Sequence, residues 1–516
     1  MLVQLKTYSL IGIDAAPVDV EVDVSSYGQP LTIIVGLPET VVKESQHRVA
    51  RAIENTGYDM PRHRIVINLA PADLPKQAAS FDLPISLGVL YGSGQIAIES
   101  DVLRKYAMVG ELALDGMTRP GRGVLSVALA ARKQGLRGII VPYENAAEAA
   151  VAEGLEVIPV RSLGEAITFL LGETPIEPYP SVSPEQFESL CDYSIDYTDV
   201  AGQETAKRAV TVAAAGGHNL LMIGPPGTGK TMLAKRFATI MPRMTLDESL
   251  ETTRIFSVLG KMNSDVPLLA TRSFREPHHT ISEAGLVGGG SPPSPGEISM
   301  AHNGVLFLDE LPEFNRRTLE VLRQPLEDGY VTIARAAQTS TFPANFILIA
   351  ALNPCPCGYR GDSRRPCRCS AIQVDRYMSR ISGPLLDRID IHIEVSPVDY
   401  HNLSRRSTGI SSATMSEQVL AAREIQTKRF AKSNIRMNAE MSHQQILSYC
   451  QINEEGHTIL KSTLEDFGLS ARAHDKIMRI ARTIADLEHE EQIKPQHLYE
   501  AINYRTLDRK LWKAGA

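Results

Sequence analysis

Eight consecutive residues, Gly224-Pro225-Pro226-Gly227-Thr228-Gly229-Lys230-Thr231, carry the glycine, lysine and hydroxyl spacing of a phosphate-binding loop. The chemistry follows from the residue types. Glycines at 224, 227 and 229 let backbone amides converge on phosphate oxygens at a helix N-terminus. Lys230 adds a point charge at the β and γ positions, and Thr231 offers its hydroxyl to Mg²⁺. The loop follows an apolar run, Leu220 to Ile223, and precedes a helical one, Met232 to Ala238, the context that separates this motif from a chance glycine-rich turn.

Downstream, Val305 to Leu308 leads into Asp309-Glu310, the arrangement in which a buried strand delivers a carboxylate to its C-terminal edge. Asp309 would hold Mg²⁺ in its outer shell, and Glu310 would polarise the water that attacks a γ-phosphate. A third apolar run, Phe346 to Leu352, ends on Asn353, a neutral group placed to hydrogen-bond that phosphate or its water. Asparagine before proline is also a common turn starter, so Asn353 gains meaning only beside the loop. Together these residues imply ATP and Mg²⁺ as cofactors and hydrolysis as the chemistry.

Cys355, Cys357, Cys367 and Cys369 fall within fifteen residues as two C-x-C pairs. Four soft ligands in two pairs suit a tetrahedral structural Zn²⁺ in a loop too polar for its own core; the alternative is four reduced thiols. Six cysteines in all are too few for a disulfide scaffold. His278-His279 has no partners at ligand spacing and reads as loop.

These groups must be positioned by more than one core, because 516 residues exceed what a single hydrophobic core supports. Residues 1–172 mix β-branched strand candidates (Ile65 to Leu69, Gly138 to Val141) with helical runs (Val124 to Lys133, Asn145 to Glu153), an α+β unit. Residues 173–196 open with three prolines and read as a linker. From 197 to 398, short apolar runs without alternation suit strands of a parallel sheet covered on both faces, an α/β core. From 399 to 516 the pattern is helical, with Ser416 to Phe430, Ser442 to Cys450 and Ala473 to Glu488 carrying apolar residues three and four apart. The polar run between Leu403 and Ser416 reads as a mobile loop.

Composition bounds the partners. With 43% apolar and 22% charged residues and a formal charge of −7, the chain is not coated in basic surface, so contact with nucleic acid must come from local patches or a ring's inner wall. One patch exists between Cys355 and Arg388, where seven arginines (360, 364, 365, 368, 376, 380, 388) face three aspartates (362, 375, 387), a balance of +4; it reads equally as a solvated loop. No stretch approaches the roughly 20 apolar residues of a membrane helix, and the first residues alternate like a strand rather than a signal core. A cytoplasmic location without a membrane partner is expected.

The strings at 274–290, 295–314, 321–336, 353–362 and 382–395 closely resemble the Mg-chelatase-like YifB/ComM family of AAA+ ATPases, and the resemblance spans essentially the whole chain. It implies a helix-2 insert near Arg272 to Met300 and a hairpin before the first sensor near Val331 to Phe342, as in the branch containing Mg-chelatase and MCM helicases. It also implies that Asn353 is the first sensor, that Arg388 is the arginine finger reaching a neighbour's ATP, and that Arg472 is the second sensor; for each arginine the bland alternative is a surface ion pair. Residues 109–145 and 81–88 resemble the Lon-protease C-terminal fold, with a departure: Ile85 stands at the nucleophile serine and Leu125 at the lysine, and Ser86 is one residue out of place. No peptidase activity is expected.

The resemblance implies a homo-hexameric helicase or translocase that promotes branch migration of transforming DNA, gripping phosphates with hairpins such as that near Arg335-Ala336-Ala337. Two alternatives stand beside it: a chelatase-type motor acting on a protein partner, and an ATP-gated scaffold with no DNA role.

Overall fold

A mixed seven-stranded sheet forms first along the chain. Its strands are β1 (Leu2–Ile11), β2 (Asp14–Val24), β3 (Leu31–Val35), β4 (Arg64–Ala70), β5 (Tyr106–Met108), β8 (Gly138–Pro142) and β9 (Glu156–Val160), in the order β3-β4-β2-β1-β5-β8-β9. A small ribbon, β6 (Glu111–Leu112) with β7 (Thr118–Arg119), stands apart from it. In β2, Val18, Val20, Val22 and Val24 are buried while the residues between them are less so, an alternation that marks the more deeply covered face of this strand. The cover is helix α1 (Asp82–Gly92); a Cβ at Gly88 would lie 2.6 Å from Val22 Cγ2, so glycine lets helix and sheet approach closely. The structure is a computed structural model that describes residues 2–505 apart from 26, 28, 77–78, 264–265, 336–338, 363–364, 399–408 and 468–469.

The second sheet is wholly parallel: β10 (Leu220–Ile223), β11 (Phe274–Arg275), β14 (Val305–Leu308), β17 (Ile347–Leu352) and β18 (Ile391–Glu394), in the order β11-β14-β17-β10-β18. Every residue of β10, β14 and β17 is buried, as expected for unalternating apolar runs. Between its strands lie two hairpins, β12 (Gly288–Gly289) with β13 (Ser294–Pro295), and β15 (Tyr330–Ala334) with β16 (Thr339–Pro343). The first falls in the segment where an insert is expected, the second where the pre-sensor hairpin is expected; Ala336 and Ala337, between β15 and β16 in the sequence, lie outside the described residues.

Helices dominate after β18: α5 (Ser412–Arg429), α6 (His443–Tyr449), α7 (Glu454–Phe467), α8 (Ala471–Leu487) and α9 (Pro495–Asn503), preceded in the chain by α2 (Glu204–Gly216), α3 (Lys230–Ile240) and α4 (Leu246–Val258). One core joins this helical part to the sheet, with Ala209, Ala213, Val419, Ile480 and Ile484 among its buried members. Arg429, Arg482 and Asn438 all donate to Asp486, which is fully buried, so a charged group sits in that core with its partners around it.

Three expectations need revision. Helix α5 starts at Ser412 because the Ser411 hydroxyl caps it by accepting from Thr414 N, so the expected mobile loop is shorter; its residues 403–408 lie outside the described residues. The expected helix over Asn145 to Glu153 reduces to a turn at Tyr143–Asn145 and one helical turn at Ala146–Ala149, since the Asn145 side chain bonds Gly121 at both its backbone groups and holds the chain in a corner. The segment read as a linker contains a helix, Pro184–Ser189, started by a Ser183/Gln186 capping box with proline in its first turn.

Candidate active site

The loop after β10 wraps the start of α3. Gly229 precedes the helix with φ +90° and no side chain caps the first turn, which leaves its backbone N–H groups free to face an anion. Gly227 also has positive φ, and a Cβ there or at Gly229 would meet nothing within 4 Å, so the cradle is open on the ligand side. Gly224 is glycine for the opposite reason: a Cβ would lie 2.2 Å from the carbonyl oxygen of Val395 at the end of β18. Thr228 donates to Pro225 O at 3.0 Å and closes the loop on itself.

Lys230 is buried, and its ammonium donates to Gly224 O at 2.7 Å, Pro225 O at 3.0 Å and Asn353 Oδ1 at 3.3 Å. Burial holds its pKa below that of a free lysine, against the pull of Asp309 and Glu310. Thr231 Oγ1 donates to Asp309 Oδ2 at 2.9 Å, which sets hydroxyl and carboxylate where one hard cation would be shared between them. The donor set fits a Mg²⁺-bound triphosphate: a lysine, amides for phosphate oxygens, and a hydroxyl–carboxylate pair for the metal.

Glu310 follows Asp309 in the left-handed region, φ +51°, and its backbone N–H donates to Asp309 Oδ1 at 2.9 Å. That turn carries the Glu310 side chain away from the sheet and leaves it half exposed. Asn353 ends β17 next to the loop, because β17 is the immediate parallel neighbour of β10. Residues up to 123 positions apart in sequence thus meet at one sheet edge: Lys230, Thr231, Asp309, Glu310 and Asn353.

Arg388 and Arg472 lie elsewhere. β18 runs parallel to β10, Leu220 opposite Ile391 and Ile223 opposite Glu394, so Arg388, just before β18, sits at the edge opposite the phosphate loop. It lines a cavity of about 760 Å³ together with Arg472, Lys476 and the residues that begin β10 and β17, Asn219 and Ile347. Within the chain Arg388 pairs with Glu327 and donates to Pro384 O at 2.6 Å, while its buried Nε has no partner among the described residues.

Three segments match Mg-chelatase families: residues 196–403 the one described as magnesium chelatase, subunit ChlI; residues 20–145 the subunit ChlI of Mg-chelatase; and residues 409–505 the ChlI C-terminal part. The chain is 44% identical over 512 residues to YifB of Salmonella typhimurium and 44% over 509 residues to competence protein ComM of Haemophilus influenzae, covering 98% of this chain and 97% of each relative. It belongs to the Mg-chelatase-like YifB/ComM family. The family is AAA+, and ATP with Mg²⁺ are the ligands it implies. A shorter likeness, 29% over 143 residues, links 28% of the chain to Lon protease 2 of Bacillus subtilis.

In this YifB/ComM-family chain Ile85 and Leu125 are both fully buried, and the Ser86 hydroxyl is buried and donates to Asp82 O at 2.9 Å, turned into its own helix. Two residues beside the phosphate site escaped the reading of the sequence. Gln203 Nε2 donates to Thr228 O at 3.2 Å and Ser396 O at 2.7 Å, stapling the loop to the chain after β18; no charge or glycine spacing marks it. His279, read as loop, places Nδ1 3.8 Å from Glu310 Oε2 and lies tilted by 34° against His278, with 4.1 Å between ring centroids. A doubled histidine followed by no ligand partner was the available signal. Among the described residues, the four clustered cysteines bring their sulfurs within 4.8 Å of one another, and all are free of disulfides. No helix among the described residues is long and apolar enough to cross a membrane.

Proposed function

We propose that this chain is an ATP-driven motor that acts on DNA as a ring of identical subunits, a hexamer in this reading, promoting branch migration of recombining DNA. Its parts are a Lon-like platform at 1–172 without peptidase activity, a connecting segment at 173–196, an AAA+ core at 197–398 and a helical lid at 399–516. In the core, residues 224 to 231 bind the phosphates, Thr231 and Asp309 hold Mg²⁺, Glu310 orients the attacking water, and Asn353 senses the γ-phosphate. The four cysteines hold a structural Zn²⁺.

The single observation that carries the ring is the placement of Lys230 and Arg388 at opposite edges of one parallel sheet. A strand of four residues at about 3.3 Å per residue spans roughly 13 Å, too far for the finger to serve its own chain's phosphates. Arg388 and Arg472 therefore complete a neighbour's site, and hydrolysis depends on assembly. The DNA substrate is supported by the name of the relative ComM, a competence protein, and by exposed Arg335 at the hairpin between β15 and β16.

The test is the steady-state ATPase rate with and without single-stranded and branched DNA, with Glu310→Gln as control and salt as the second variable. Stimulation by DNA that is absent in Glu310→Gln and declines with salt supports the reading. The match to Mg-chelatase families favours a second one, a motor whose substrate is a protein partner. ATP turnover indifferent to every DNA would select it.

A further inference from the structure

The four cysteines sit directly on the nucleotide site. Cys355 follows Asn353 by two residues. Gly358, in the turn between the cysteine pairs, is packed so that a Cβ there would lie 2.7 Å from Pro226 Cδ of the phosphate loop and 3.9 Å from Asn353 Cγ. After the second pair, the helix Ala371–Met378 carries Tyr377, whose hydroxyl lies close to the Asn353 backbone. Just beyond it Arg380 donates to Pro312 O at 3.0 Å and Glu313 Oε2 at 2.9 Å, in the turn that Glu310 starts. The segment from 353 to 380 thus touches the phosphate loop, the sensor asparagine and the turn of the hydrolytic glutamate.

The sulfurs are arranged for a metal. Cys355 Sγ lies 3.3 Å from Cys357 Sγ and 3.6 Å from Cys367 Sγ, and Cys357 lies 3.6 Å from Cys367. Disulfides require about 2.05 Å. A tetrahedron with Zn–S bonds of about 2.3 Å has edges of about 3.8 Å, which is the scale observed. Backbone groups fold the turn around the sulfurs: the Gly358 N–H donates to Cys355 O at 2.9 Å, and the Cys369 N–H to Cys367 Sγ at 3.4 Å. Four thiolates around Zn²⁺ leave a charge of about −2, and the cavity of about 520 Å³ beside Cys357 and Cys369 is lined by Arg368, Arg376 and Arg380. The local excess of arginine has a role here without any nucleic acid.

We propose that Cys355, Cys357, Cys367 and Cys369 bind one Zn²⁺, and that this centre is a positioning element of the ATPase site, holding Asn353 and the turn at Gly358 against the phosphate loop. Zinc occupancy then controls turnover more than nucleotide affinity, because the loop amides and Lys230 belong to another segment. The coupling rests on the ATPase reading above; metal binding does not.

The experiment uses the full-length chain. Metal content by mass spectrometry is expected to give about one zinc per chain, and Co²⁺ exchanged into it is expected to show the visible absorption of a tetrahedral thiolate site. Both should vanish in Cys367→Ser/Cys369→Ser. Protein purified in zinc-containing medium with no zinc and no cobalt spectrum overturns the site. For the coupling, loss of zinc should lower kcat about tenfold or more while KM for ATP shifts about threefold or less. The same loss in an Asn353→Ala background should add little, since both changes act through one residue. An additive loss in that cycle, or an unchanged kcat without zinc, overturns the coupling. Removing zinc from the wild-type chain with a chelator and then restoring it guards against unfolding of the serine variant. Turnover should fall and return with occupancy; turnover that stays full without zinc also overturns the coupling. A wild-type chain that binds zinc but turns over no ATP refutes the ATPase reading and leaves the metal site standing.

Discussion

Mixing two inactive variants tests the division of the site between subunits. Lys230→Ala removes the charge that meets Gly224 O and Asn353, but it leaves Arg388 intact at the far edge of the sheet. Arg388→Ala does the reverse. A finger is worth about 10³ to 10⁵ in rate, so each variant alone should be silent in a steady-state assay. In a ring assembled from equal amounts, an interface is productive when the subunit with intact Lys230 meets the intact Arg388 of its neighbour. With each choice at one half, about a quarter of interfaces qualify whatever the ring size, and turnover should recover to about a quarter of wild type if interfaces fire independently. The assay is ATP turnover at fixed total protein across mixing ratios, with a maximum expected at equal amounts. A finger serving its own chain would give no recovery at any ratio. Recovery absent in rings shown to contain both variants, by co-purification on an affinity tag carried by one of them, would refute the assignment of Arg388 and with it the division of the site between sheet edges.

Other outcomes follow from single contacts. Glu327→Gln removes the carboxylate that Arg388 pairs with in the isolated chain. Glu327 is half exposed, so the pair is worth at most about 1 kcal/mol, and turnover at limiting protein concentration should rise by no more than about fivefold. Glu310→Gln should bind ATP with undiminished affinity in a fluorescent-nucleotide titration and fail to turn it over; His279→Ala, which removes the ring beside Glu310, should lower kcat about three- to tenfold with KM unchanged. Asp486→Ala leaves Arg429, Arg482 and Asn438 facing a hole in the helical core and should destabilise it by about 3 kcal/mol, read as an earlier thermal transition by calorimetry. Arg335→Ala should weaken DNA binding and flatten its salt dependence while basal ATPase persists.

The glycine-rich loop and the carboxylate pair were legible because their placement is set locally. Gly227 and Gly229 have the positive φ that glycine permits, and Asp309 follows a strand whose burial was written in four apolar residues. Helix starts were less legible: Ser411 caps α5 well before the apolar pattern suggests a helix, because a cap is set by one hydroxyl rather than by periodicity. His279 and Gln203 were illegible as site residues, since what qualifies them is proximity to Glu310 and Thr228, and neither neighbour is near in sequence.

By itself the sequence determined the parallel core, the helical part after β18, the glycine-rich turn between β10 and α3 and the cysteine cluster, all consequences of short-range spacing and of apolar runs that must be buried. Only the tertiary structure decided that Asn353 meets Lys230, that Arg388 and Arg472 share a cavity at the other edge, and that Gly358 rests on Pro226. Strand order places those groups: β17 and β18 flank β10 although the chain reaches them only after β11 and β14. Which edge a residue occupies depends on whether it precedes or follows its strand, and which residues meet at that edge depends on neighbours that linear spacing does not encode.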